Sequence, residues 1–113
     1  QTKKTSGYDP LLMEYLTGVK ETDQPKILAT IIARRGSAPR SIGTKMLVLG
    51  DGRIIGTIGG GCMESEVQHQ CLRLLHEENE MTRIIRADMT VAQAEDEGMV
   101  CGGTIDVFLE KFQ

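Results

Sequence analysis

The apolar positions of the chain fall into runs of three kinds. Ile27–Ala33 (I-L-A-T-I-I-A) is almost continuously apolar and rich in β-branched residues, the pattern of a strand buried on both faces and central in its sheet. Ile105, Val107 and Leu109 instead alternate with Thr104, Asp106 and Glu110, which predicts a half-buried strand nearer an edge; Phe108 breaks that alternation. Met63, Val67, Cys71, Leu74 and Leu75 recur at helical spacing and predict a helix from about Cys62 to Glu78. Leu11, Leu12, Leu16 and Val19 form a shorter helical stripe behind Asp9-Pro10, an N-cap followed by proline at the first helical position. Met46–Leu49 and Arg53–Ile58 flank Gly50-Asp51-Gly52, a strong hairpin signal. Arg83–Ala87 reads as a further strand. Thr90-Val91-Ala92-Gln93, a capping box, and Gly98, a stop, bracket a short third helix.

These elements predict one α/β (α+β) domain over residues 1–113, with residues 1–8 loose. The expected sheet has about five or six strands with about three helices, and it is mixed, because the hairpin must be antiparallel.

The second hairpin strand runs straight into three glycines, Ile58-Gly59-Gly60-Gly61-Cys62-Met63-Glu64, and then into the long helix. Consecutive glycines lose much backbone entropy on folding, and they let another group approach bare main chain. The amides there would lie at a helix N-terminus, which favours an anion. A P-loop needs Lys after its last glycine, where Cys62 stands. A dinucleotide fingerprint begun at Gly59 and Gly61 needs a third glycine where Glu64 stands. A ligand-free strand-to-helix turn remains the alternative to an anion site of another kind.

Composition narrows the choice. Net charge is −3, which argues against bulk attraction to nucleic acid. No apolar run approaches a membrane span and no signal peptide is visible. Cys62, Cys71 and Cys101 are an odd number in no metal-ligand spacing, consistent with free thiols in a reducing cytoplasm. With only 4% aromatic residues the core must be aliphatic, and so small a domain would gain from self-association. His69 and His76 share a solvated helix face and are assigned no metal. The segment from Arg34 to Lys45 holds four basic residues and no acidic one, either a solvated loop or a patch for an anion.

Cys62 and Cys101 differ from Cys71, which lies mid-stripe as a core thiol. Both flank glycines at element ends, in Gly61-Cys62 and in Cys101-Gly102-Gly103. A thiol beside free amides has its thiolate favoured, and a thiolate is a soft ligand and a sulfur nucleophile. On this reading Cys62 and Cys101 contact a metal or accept sulfur, and Gly59, Gly60, Gly61, Gly102 and Gly103 give backbone access. Arg35, Arg40 and Lys45 attract phosphate or oxyanion, and Glu64 orients or protonates a ligand atom. The alternative is that both thiols are buried and unreactive.

The order of these motifs resembles the XdhC/CoxI family, the accessory proteins of xanthine dehydrogenase and related molybdenum hydroxylases. The resemblance rests on Arg35-Gly36-Ser37-Ala38-Pro39-Arg40, Gly43-Thr44-Lys45-Met46-Leu47-Val48, Gly56 through Glu64, and Gly98-Met99-Val100-Cys101-Gly102-Gly103. It implies a maturation factor rather than a turnover enzyme, one that binds the molybdenum cofactor (molybdopterin) with Ser37 among the binding segments. It also implies help in sulfuration by a cysteine desulfurase and transfer to the hydroxylase apoenzyme. Longer members carry a second, Rossmann-like domain that is absent from residues 1–113; on this resemblance the chain is either a single-domain member or the partner of a separate chain that carries the other half. Two other readings stay open: a nucleotide-binding enzyme or regulatory subunit using the glycine turn, and a ligand-free module bridging desulfurase and hydroxylase.

Overall fold

The computed structural model describes residues 10–17, 24–36, 41–59, 61–88 and 103–112, and for Cys62 the backbone alone. The elements are α1 (Pro10–Leu16), β1 (Lys26–Arg35), β2 (Lys45–Leu49), β3 (Ile54–Gly56), α2 (Gly61–Leu75), β4 (Thr82–Asp88) and β5 (Thr104–Phe112). They build a five-stranded sheet in the order β3-β2-β1-β5-β4, with β1 at its centre as its apolar run requires.

Every described ladder is antiparallel, which corrects the expected mixed sheet. The reason lies in where α2 crosses. It leaves one edge strand, β3, and delivers the chain to the other edge strand, β4. These two strands run in the same direction, but β2, β1 and β5 stand between them, so no parallel pair forms. Two helices are described; the third expected one, beyond Thr90, lies outside the described residues. The Asp9 cap and Val19 do so as well, and α1 is described only to Leu16.

The hairpin forms at the expected place. Leu47 pairs with Ile55 and Val48 with Ile54, and Gly50-Asp51-Gly52 closes the loop. The Gly52 amide donates to Leu49 O at 2.8 Å and the Leu49 amide to Arg53 O at 2.9 Å, a three-residue loop whose last position, Gly52, has φ +94°.

The two faces of the sheet are packed unequally. One face meets α2, where Ile27, Ala29 and Ile31 of β1 and Ile105, Val107 and Leu109 of β5 join Met63, Val67, Cys71 and Leu74 in the main core. The other face meets α1, whose Leu12 packs with Leu28, Leu47 and Leu49. β1 is therefore buried on both sides near its start, which explains its continuous apolar run. β5 is not nearer an edge, as its alternation had suggested; it sits between β1 and β4. It alternates because only its α2 face is covered by a described element. Phe108 breaks the alternation because it belongs to the opposite face, opposite Thr30 and Ile84.

One buried cation has no counterpart in the sequence pattern. Lys111 follows Leu109 on the α2 face and is only 6% exposed. Its ammonium donates to the Leu74 carbonyl at 3.2 Å and to the Glu77 carbonyl, so β5 caps the C-terminal end of α2, where a cation also suits the helix dipole.

Candidate functional site

The registers bring the described parts of the sequence motifs to one end of the sheet. Thr30 pairs with Lys45, Met46 with Gly56, and Arg35 with Thr104. The end of β1, the start of β2, the end of β3 and the start of β5 therefore lie at the same end of the sheet, β1 and β5 running on past the start of β2. From that end the chain enters α2 through the glycine turn, and Gly103, which is buried, leads into β5. Segments far apart in sequence thus share one rim.

The glycine turn has a backbone that side chains would oppose. Gly59 has φ +138° and Gly61, the first residue of α2, has φ +63°. Thr57 fastens the turn. Its hydroxyl donates to Glu64 Oε1 at 2.6 Å and accepts the Gly59 amide at 3.1 Å. Glu64, in the first turn of α2, therefore faces the glycines as its helical position predicts. The structure also gives it a partner, Thr57, seven residues earlier, which helical phase does not reveal. A hydroxyl two residues before a glycine turn, with a carboxylate in the first turn of the helix that follows, is the signal that could have found it.

The cations behave differently from one another. Lys45 is half-buried, and its ammonium donates to Gly43 O at 3.2 Å. Arg35 is half exposed and makes a two-pronged pair with Asp106, at 3.2 and 3.3 Å, on the sheet face opposite α2. Arg86 joins from β4 through Nε at 2.9 Å. The hydrogen bond from Arg86, with that from Arg35, holds the Asp106 carboxyl down at about 2. Sequence reasoning misses Arg86 and Asp106, since each looks like an ordinary polar position of an alternating strand.

Cys71 is fully buried in the main core, and burial pushes its thiol up to about 12, so it is a neutral packing group at physiological pH. The side chain of Cys62, and Gly60, Ser37, Arg40, Cys101 and Gly102, lie outside the described residues. Cys62 itself occupies the second position of α2. Among the described residues, no three His, Cys, Asp or Glu side chains are grouped to hold a metal, and His69 and His76 are exposed. No described helix is long and apolar enough to cross a membrane.

The far end of the sheet carries a cleft of about 380 Å³ lined by Gln24, Pro25, Gly50, Asp51, Leu72, Leu75 and His76. Its carboxylate is already engaged: Asp51 accepts from Arg53 and Gln24, and those bonds hold its carboxyl below the usual aspartate range. Among the described residues, none of the glycine-turn or cationic candidates lines it.

Residues 19–86 match the XdhC and CoxI family. An uncharacterised protein YqeB of Escherichia coli K12 is 38% identical over 91 residues, 80% of this chain and 16% of its own. A probable xanthine dehydrogenase subunit from Bacillus subtilis 168 is 36% identical over 101 residues, 85% of this chain and 29% of its own. The molybdenum cofactor insertion chaperone PaoD of E. coli K12 is 37% identical over 49 residues, 43% of this chain and 15% of its own. Among solved structures, a xanthine dehydrogenase from Bacillus halodurans matches with a TM-score of 0.70 and 33% identity, over 91% of this chain and 30% of that one. The chain thus spans less than a third of the length of these relatives.

Proposed function

The chain belongs to the XdhC and CoxI family, and from that premise we propose that its loop end binds the molybdenum cofactor for delivery to a xanthine dehydrogenase-type enzyme. The observation that carries this reading is that Arg35, Lys45, Gly59 and Gly61 with Glu64 beside them, and Gly103 all lie at the same end of the sheet. The name of PaoD, a relative over 49 residues, points the same way.

The donor set fits such a group. The cofactor is anionic through its phosphate and soft through its dithiolene and molybdenum. A helix that begins at positive-φ Gly61, with Gly59 also at positive φ just before it, offers main chain without side-chain obstruction, and Lys45 and Arg35 add positive charge at the same end of the sheet. Cys62 in the first turn of α2 and Cys101 beside Gly102 would supply the thiols, with Gly60, Ser37 and Arg40 completing the binding segments. A thiol in a helix's first turn has its thiolate favoured, whereas the Cys71 thiol is held neutral. Glu64, fixed by Thr57, would hold or release a proton beside the turn. The cofactor supplies the redox chemistry once inserted in its enzyme; this chain supplies binding, orientation and a thiol for sulfur transfer. A cysteine desulfurase and the hydroxylase apoenzyme are the partners this role requires. A nucleotide site is less well supported, because Glu64 stands at the third glycine position and is held against the turn by Thr57.

Anaerobic equilibrium dialysis against molybdenum cofactor, read by bound molybdenum and pterin, tests the reading. Cys62→Ala and Cys101→Ala are each expected to weaken retention about tenfold, equivalent to about 1.4 kcal/mol, with little change in melting temperature. Cys71→Ala is expected to lower the melting temperature through a small cavity and to keep retention. Parental retention by both thiol variants would sink the proposal.

A further inference from the structure

The sheet face that carries α1 is only half used. α1 packs on β1, β2 and β3 through Leu12, Tyr15 and Leu16 against Leu28, Leu47, Leu49 and Ile55. Among the described residues, no element covers the same face of β5 and β4. There the registers set Thr82, Ile84, Arg86 and Asp88 beside Glu110, Phe108, Asp106 and Thr104. Ile84 is 64% exposed in mid-strand, with Phe108 half-buried next to it and Phe112 41% exposed farther along. A β-branched and an aromatic residue paired on an open sheet face form the centre of a packing surface.

The geometry points to a second copy of this chain as the occupant, packed sheet to sheet, with the two-fold axis parallel to the strands and between β4 and β5. Two observations select this arrangement. The first is the position of α1. Packed sheets lie about 10 Å apart, and α1 stands in that layer over the other half of the face. An axis across the strands would set α1 onto the second copy's α1 and hold the open halves apart. An axis along the strands lays β4 over β5 and leaves each α1 outside the partner's sheet edge.

The second observation is self-complementarity. With the axis along the strands, Ile84 of each copy faces Phe108 of the other and Arg86 faces Asp106, each contact occurring twice by symmetry. Arg35 and Arg86 against Asp88, Asp106 and Glu110 leave this face with a net charge of only −1, and both signs are present on it, so two copies stack with little net repulsion. A partner chosen by charge would require a patch of one sign; this one matches itself. The inference stands independently of the cofactor reading.

Sedimentation velocity of the 113-residue chain tests it. The parent is expected to pass from monomer to dimer as concentration rises through the micromolar range. Ile84→Glu and Ile84→Lys, at an exposed position and of opposite charge, should each raise the dimer dissociation constant at least tenfold, with unchanged melting temperature at concentrations where the parent is monomeric. His69→Glu on the exposed side of α2 should leave it unaltered. Hydrogen exchange compared at low and high concentration should show the outward-facing β4 amides equally unprotected. A monomer at all concentrations, dimers that persist in both Ile84 variants, or new protection along the β4 edge, which marks edge-to-edge pairing, would each overturn the proposal.

Discussion

The two ends of the sheet are closed by different means. At the hairpin end, the Gln24 side chain exchanges two hydrogen bonds with Asp51, 27 residues away, and the Gly50 amide donates to Pro25 O at 2.9 Å. Lys111 reaches back to carbonyls 34 and 37 residues earlier, and its own amide donates to Met81 O at 2.8 Å. At the loop end, the bonds that Thr57 and Lys45 make are local: Thr57 serves residues two and seven positions on, and Lys45 caps Gly43. Arg35 and Arg86 do bind Asp106 across the sheet, but on the face opposite α2. The difference separates two tasks. Long-range bonds at the hairpin end fix the fold, and a turn fastened to its own neighbours can receive a ligand without unfastening the core.

The largest effect should come from breaking the closed end. Lys111→Met keeps the bulk of the side chain and removes its charged hydrogen bonds to α2, for an expected loss of about 2–3 kcal/mol in urea unfolding. Cofactor retention should be unchanged, since the loop end is remote. A variant as stable as the parent would show that this cap does not hold the end together.

A matched pair of glycine substitutions sharpens the contrast. Gly52→Ala and Gly61→Ala both place a side chain at positive φ, at +94° and +63°, and each should cost about 1–2 kcal/mol. Only Gly61→Ala should also weaken cofactor retention. Equal losses of retention in the two variants would remove the functional distinction between the ends.

The smallest effect concerns acid. The folded Asp106 carboxyl, at about 2, lies below the ordinary aspartate value of about 3.9. Its contribution to stability is therefore full above about pH 4 and is lost as pH falls from there through about 2. Asp106→Asn should flatten the melting-temperature profile in that window. A parental slope in the variant would assign the acid limb to other carboxylates.

Particular residues show how far the sequence can be read. The thiol of Cys71 is legible as a core group because it lies mid-stripe on a helix, and the structure buries it fully. Glu64 is legible as facing the glycines, since helical phase alone sets its direction. Arg35 is legible as a cation near the loop end, but its carboxylate partner lies 71 residues away and depends on β5 pairing with β1. Lys111 is unreadable for the same reason: a charged residue in an alternating strand looks exposed until the helix it caps is in place.

What the sequence determined by itself is what depends on near neighbours. The apolar run of β1, the Gly50-Asp51-Gly52 turn, the helical stripe of α2 and the glycine turn all arise from backbone preferences and side-chain periods spanning a few residues. What only the tertiary structure decided is the order β3-β2-β1-β5-β4 and its consequences. The insertion of β5 between β1 and β4 made every described ladder antiparallel, set Phe108 and Ile84 on an open face, and joined Arg35 and Arg86 on Asp106. Strand order follows from which faces can be buried together across the whole chain, and no local window of sequence contains that information.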